Sequence, residues 1–275
     1  MRLFRTTLHS WQSKVAQLIP GLKALILDMD GVIWRGDQPL GDLPMIFAEI
    51  NRRGYRTILA TNNATLSDDQ YLVKLRKFGV ELEEWQIISS PDVAADFLKK
   101  RYPAGGPVFV VGEIGMISTL AKYGFYQSNQ NVLAVVAGLD RQINYDKLAR
   151  ATLLIRSGAM FIGTNADPTL PMPEGLLPGA GSILAALEAA TGIKSVVVGK
   201  PEPEIYLLAL ERLKTNPADT LIIGDRLDTD ITGAQKLGCH TALLLSGVTG
   251  EADAKAWRPV PDIIAPDITS LLEWL

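Results

Sequence analysis

Read for apolar and polar positions, the chain alternates two textures. Short unbroken apolar runs that end in glycine or a small polar residue are separated by longer stretches with apolar positions at helical spacing. The runs predict strands over 24–27, 56–61, 108–111, 132–137, 160–163, 195–198, 220–224 and 240–245. The helical spacing predicts helices over 43–53, 68–78, 92–101, 145–157, 181–191, 204–214 and 231–237. A continuous run of Ala, Leu, Ile and Val is apolar on both faces, as a strand inside a parallel sheet must be. Strands that alternate with helices across short loops predict an α/β fold built on a doubly wound parallel sheet.

Two regions depart from this rhythm. At the start, Phe4, Leu8, Trp11, Val15 and Leu18 form one helical stripe, with Arg2, Arg5, Gln12 and Lys14 on the other face. Residues 1–20 are therefore expected to be an amphipathic helix packed on the protein's own surface. A transit peptide or a membrane-surface helix has the same basic, acid-poor pattern. Between residues 89 and 178 the strands and helices form a self-sufficient α/β unit, which ends in an irregular proline-rich loop over 164–173. Such a loop suits either a substrate-facing edge or a linker.

Composition narrows the picture. At 275 residues, with 47% hydrophobic and 21% charged, the chain has the balance of a folded globular protein of one large or two ordinary domains. A net charge of −3 gives no general attraction for nucleic acid or an anionic membrane. No apolar stretch approaches the roughly 20 residues that span a bilayer. The single cysteine, Cys239, rules out an internal disulfide, fits a reducing compartment and reads as a small buried apolar residue.

The chemistry gathers where strands end. The first run closes on Asp28-Met29-Asp30-Gly31, and if the chain stays extended there both carboxylates point to one face. Two such acids share a proton, hold a hard cation such as Mg²⁺, or form a solvated acidic turn. The run over 56–61 enters Thr61-Asn62-Asn63, which suits phosphate oxygens and equally suits the capping of the next helix. Lys200 follows the run over 195–198, and Asp225 closes the run over 220–224 with Asp228 and Asp230 behind it. Four strand ends of one parallel sheet share an edge, where residues distant in sequence converge.

These residues resemble, in order, the motifs of the haloacid dehalogenase superfamily of phosphotransferases: Asp28-Met-Asp-Gly-Val, Thr61, Gly-Lys200-Pro, and Gly-Asp225-Arg-Leu-Asp-Thr-Asp230. Trp34-Arg35-Gly36, Thr61-Asn62-Asn63, Gly138-Leu139-Asp140-Arg141 and Gly163-Thr164-Asn165 are similar to its para-nitrophenylphosphatase-like subfamily. The resemblance implies a Rossmann-like core over 21–88 and 179–275, with an inserted cap domain over 89–178. It also implies Mg²⁺-dependent hydrolysis of a small phosphorylated metabolite. Asp28 is implied to attack phosphorus and Asp30 to act as general acid and base. Asp28, Asp225 and the main-chain carbonyl of Asp30 are implied to hold the cation, with Asp230 orienting a water behind them. Thr61, Asn62, Asn63 and Lys200 are implied to hold the phosphoryl oxygens, and Asn165 and Asp167 in the cap to choose the substrate. A cytoplasmic location and a homodimer through the cap are further expectations. A phospho-aspartate signalling domain and a catalytically silent phosphometabolite-binding protein are the rival readings. Asp30 argues against the first, and the full motif set against the second.

Overall fold

The computed structural model describes residues 19–172 and 175–275. The helix expected over 1–20 lies, but for Ile19 and Pro20, outside the described residues. The chain forms two compact units. One holds the residues through Ala60, Leu72–Ile87 and Tyr206–Leu275; the other holds Thr61–Tyr71 and Ile88–Ile205.

The first unit is organised by a six-stranded sheet in the order Ile263–Ala265, His240–Leu244, Thr220–Gly224, Ala24–Leu27, Arg56–Thr61 and Ile87–Ser89. From Ile263–Ala265 to Arg56–Thr61 the neighbours are parallel, with Leu27 opposite Leu59 on one side and Ile223 on the other. Every residue of Ala24–Leu27 is buried, as its unbroken apolar character requires. Helix Leu43–Arg52 starts where the Asp42 side chain accepts the Met45 amide at 3.1 Å, and buries Leu43, Ile46, Phe47 and Ile50.

The second unit has its own five-stranded sheet, parallel throughout, in the order Val196–Val197, Met160–Gly163, Ala134–Ala137, Gly106–Val111 and Phe125–Gln127. Its core packs Phe109, Val111, Val135, Ala137 and Phe161 against Ala151 and Ile155 of helix Tyr145–Arg156, and against Leu184 and Leu187 of helix Ala180–Thr191.

The structure corrects one expectation that mattered to the site. Lys200 does not follow a strand of the same sheet as Asp28 and Asp225, because Val196–Val197 pairs with Met160–Gly163 in the five-stranded sheet. A two-residue strand carries too little pattern to declare its partner. The loop over 164–173 is also more ordered than expected, since Thr169–Met172 pairs antiparallel with Gly175–Pro178. The helix expected over 231–237 is preceded by a single π-helical turn, Leu227–Ile231, and continues as Thr232–Leu237.

Candidate active site

Asp28 extends the first strand by one bond, its amide donating to the Ile223 carbonyl at 2.8 Å. The extended path stops there. The Met29 carbonyl accepts the amides of Ile33 and Trp34 at 3.0 and 3.2 Å, and the Gly31 amide donates back to Trp34 at 2.7 Å. Gly31 sits at φ +84°, where a side chain is strained, and a Cβ there would lie 2.5 Å from Asp225 Oδ2. Both constraints require glycine after the second acid.

The turn sets the two acids in different surroundings. Asp28 is partly buried, whereas Asp30 is exposed and accepts the Trp34 indole N–H at 3.0 Å. Trp34 is itself 1% exposed, faces the Phe78 ring at 6.1 Å, and has the Lys74 ammonium 4.3 Å from its ring centre. A rigid indole thus fixes the Asp30 carboxylate from within the core. The spacing of Trp34 four residues beyond Asp30 was visible in the chain, but nothing local marked it as that carboxylate's donor.

Asp225 and Asp230 are both 2% exposed. Asp225 Oδ2 accepts the Val248 amide at 2.7 Å, and a Cβ on Gly247 would run into the same carboxylate. The π-helical turn folds Asp230 back so that its Oδ2 accepts the Arg226 amide at 3.1 Å, while Tyr206 donates to the Asp230 carbonyl at 3.2 Å. The segment 246–249, which sequence reasoning did not connect with the site, is joined to the Asp30-Gly31 turn as well. Ser246 Oγ donates to the Gly31 carbonyl at 2.7 Å. Asp228 points elsewhere; it is exposed and pairs with Arg226 at 3.1 Å.

One carboxylate oxygen from each of Asp28, Asp225 and Asp230 lies within 4.8 Å of the others. Three like charges at this spacing repel one another, and a hard divalent cation with oxygen preference relieves that repulsion. The donor set therefore fits Mg²⁺. The Asp30 side chain is outside this group, so its expected part at the cation rests on the main-chain carbonyl.

The remaining site candidates belong to the second unit. Thr61 is buried, with Oγ1 accepting the Asn63 amide at 3.1 Å. The Asn63 side chain accepts from both the amide and the hydroxyl of Thr65, at 3.0 and 2.7 Å, which is turn-forming work ahead of helix Asp68–Lys77. Asn62 bonds the backbone of Lys200, which is 3% exposed. Asn165, also buried, donates to the Asn62 carbonyl at 2.9 Å and accepts the Asp167 amide at 3.1 Å. A groove of about 550 Å³ on the first unit, lined by Met45, Ile46, Ala48 and Leu272 among others, contains none of these candidates.

Comparison with known proteins bears on this arrangement. A family model described as haloacid dehalogenase-like hydrolase matches residues 25–126, and a related model of the same kind matches 197–271. An acid sugar phosphatase of Staphylococcus aureus is 34% identical over 91% of this chain and 96% of its own length. Among solved structures, a 4-nitrophenylphosphatase from Thermotoga maritima superposes with a TM-score of 0.88 at 30% identity, covering 93% of this chain and 98% of that one. A glycerol phosphate phosphatase from Mycobacterium tuberculosis, solved in complex with magnesium, gives 0.84 at 34% identity, covering 92% and 77%. Among the described residues no helix is long and apolar enough to cross a membrane.

Proposed function

This chain belongs to the haloacid dehalogenase-like hydrolases, and on that premise we propose that it is a Mg²⁺-dependent phosphatase for small phosphate monoesters, sugar and polyol phosphates foremost. The observation that carries the reading is the meeting of the Asp28, Asp225 and Asp230 carboxylates behind the ends of parallel strands. The named relatives act on a sugar phosphate, on nitrophenyl phosphate and on glycerol phosphate, which supports a common reaction with a variable alcohol.

In this reading Asp28 attacks phosphorus in line and carries the phosphoryl group as an aspartyl-phosphate, which divides one difficult displacement into two. Asp30, held by the Trp34 N–H, protonates the departing alkoxide and then removes a proton from the incoming water. Thr61 and Lys200 hold phosphoryl oxygens as their charge redistributes. Asp28, Asp225 and the Asp30 carbonyl would hold Mg²⁺, with Asp230 close behind. When bound, the cation lowers the repulsion between an anionic nucleophile and an anionic substrate. Residues 89–178 supply the groups that choose the alcohol, as expected of an insertion that differs in texture from the core.

The test is hydrolysis of para-nitrophenyl phosphate, glycerol phosphate and a panel of sugar phosphates, before and after chelation and after return of Mg²⁺. Turnover should vanish on chelation and come back with the metal. Turnover indifferent to the chelator would refute the cation assignment, and no hydrolysis of any monoester would refute the phosphatase.

A further inference from the structure

The residue between the buried hydroxyl of Thr61 and the turn made by Asn63 does something that neither the strand nor the turn requires. Asn62 Oδ1 accepts the Lys200 amide at 2.8 Å, and Asn62 Nδ2 donates to the Lys200 carbonyl at 2.9 Å. One side-chain amide thus pairs with both backbone groups of one residue 138 positions away, as a neighbouring strand would. The orientation of that amide is fixed by the pairing, since an N–H must meet Oδ1 and a carbonyl must meet Nδ2.

The surroundings are built for this contact. The Asn62 carbonyl accepts the Ser90 hydroxyl at 2.8 Å and the Asn165 side-chain amide at 2.9 Å, so its backbone is held from two sides. Asp167 Oδ2 lies 3.4 Å from the same Nδ2 that bonds Lys200. Gly199 leaves the necessary room, because a Cβ there would stand 2.6 Å from Asn62 Oδ1 and collide with the Thr164 carbonyl. All of these residues belong to the second unit.

We propose that Asn62 is a positioning residue that fixes Lys200 in register with Thr61, rather than a ligand of the phosphoryl group itself. The proposal rests on the phosphatase reading given above. A lysine reaches its target through a flexible four-carbon stem, so its ammonium is placed only as well as its backbone is. Both donors of Asn62 Nδ2 and its one strong acceptor face protein groups, which leaves the side chain little capacity for phosphate. Asn165 extends the same anchor: it acts on the Asn62 carbonyl, a role different from choosing the substrate.

The experiment compares Asn62→Ala, Asn62→Asp, Lys200→Met and the double variant Asn62→Ala/Lys200→Met, in the full chain with Mg²⁺. Asn62→Ala should lower kcat for para-nitrophenyl phosphate by about 10- to 100-fold, the scale of losing orientation at a reacting centre, with a smaller change in KM. Asn62→Asp keeps an acceptor for the Lys200 amide but sets a carboxylate against the Lys200 carbonyl and Asp167, and should fall at least as far. The double variant should be no slower than Lys200→Met, because Asn62 acts through the group already removed. Additive losses would overturn the proposal, since a general structural defect costs the same in either background. Hydrogen exchange at the Lys200 amide supplies a readout independent of turnover: faster exchange in Asn62→Ala is expected, and unchanged protection would overturn the clamp. If the wild type hydrolyses no monoester, the phosphatase reading fails while the exchange measurement still decides the clamp. If Asn62→Ala does not fold, Asn62→Asp carries the same comparison.

Discussion

The two larger sheets of this molecule are both built on parallel strand pairs, and they carry different groups beyond their strand ends. In the five-stranded sheet, the acid beyond strand Ala134–Ala137 is Asp140, 3% exposed, and it meets the Lys147 ammonium at 2.5 Å. Nearby, the pKa of Glu113 is lowered from its ordinary value because Arg141 bonds its carboxylate through two nitrogens. In the six-stranded sheet the acids beyond Ala24–Leu27 and Thr220–Gly224 meet one another, Asp28 with Asp225 and Asp230. A buried acid that meets an ammonium holds a loop in place. Acids that gather within reach of one another repel, and a hard cation among them relieves that repulsion. A parallel sheet offers an edge, and the residues placed on it decide whether that edge is structural or chemical.

The sharpest way to break this comparison is to remove one acid from each sheet. Asp28→Asn should lower kcat for para-nitrophenyl phosphate by about 10⁴-fold or more, as loss of a nucleophile does, with the fold retained. Asp140→Asn should leave kcat within about threefold but cost about 1–2 kcal/mol of stability, because the Lys147 ammonium loses its charged partner. Steady-state kinetics and denaturant unfolding on both variants check the pair. Equal activity losses would show that the second sheet's acid is chemical too.

A gentler perturbation tests how tightly the acids are packed. In Gly31→Ala the new methyl would arrive 2.5 Å from Asp225 Oδ2 at a backbone φ of +84°. We expect kcat to fall about 10²-fold, the cost of moving a reacting group by about 1 Å. The left-handed backbone adds a stability loss on the order of 1 kcal/mol. Measured Mg²⁺ affinity should weaken with kcat. Normal affinity with low kcat would place the damage at Asp30 rather than Asp225.

How far the chain announced all this follows from where each signal resides. Ala24–Leu27 and Thr220–Gly224 were legible because burial on both faces forces continuous apolar runs, and the acids stand directly after them. The hairpin Trp34–Arg35 with Gln38–Pro39 was not, since two-residue strands have no period to detect. The same brevity hid which sheet Val196–Val197 joins, and with it the neighbourhood of Lys200. The segment 246–249 reaches Asp225 and Gly31 through a backbone amide and a serine hydroxyl, and neither leaves a mark on composition. For Asn62 the residue type admitted both a phosphate ligand and a cap; the structure shows a third use, which depends on a partner 138 residues away. Sequence pattern records burial and local turns well, and pairings between distant backbones hardly at all.

The smallest expected effect contrasts two surface carboxylates, one from each unit. Glu188, on helix Ala180–Thr191, is lowered to about 2, first by the bond from the Lys194 ammonium and then by the Ser195 amide. Glu49, on helix Leu43–Arg52, is also lowered to about 2, by bonds from Arg52 and Arg53. In both cases the folded value lies below the ordinary 4.5, so the folded state holds the proton less readily than the unfolded chain. Each contribution is therefore complete above about pH 4.5 and is lost as the pH falls towards about 2. They differ in what they hold. Glu49 bonds neighbours on its own helical turns, whereas Glu188 fastens the Ser195 amide and hydroxyl at the entrance to strand Val196–Val197. Glu188→Gln should lower Tm measurably at neutral pH, by no more than the equivalent of about 1 kcal/mol. Glu49→Gln should lower it less, because Glu49 bonds only arginines at the end of its own helix, which keeps its other bonds. The gap between wild type and Glu188→Gln should hold steady at neutral pH and close between about pH 4.5 and pH 2. A gap that persists in full at the acid end would mean that Glu188 works by packing rather than by charge.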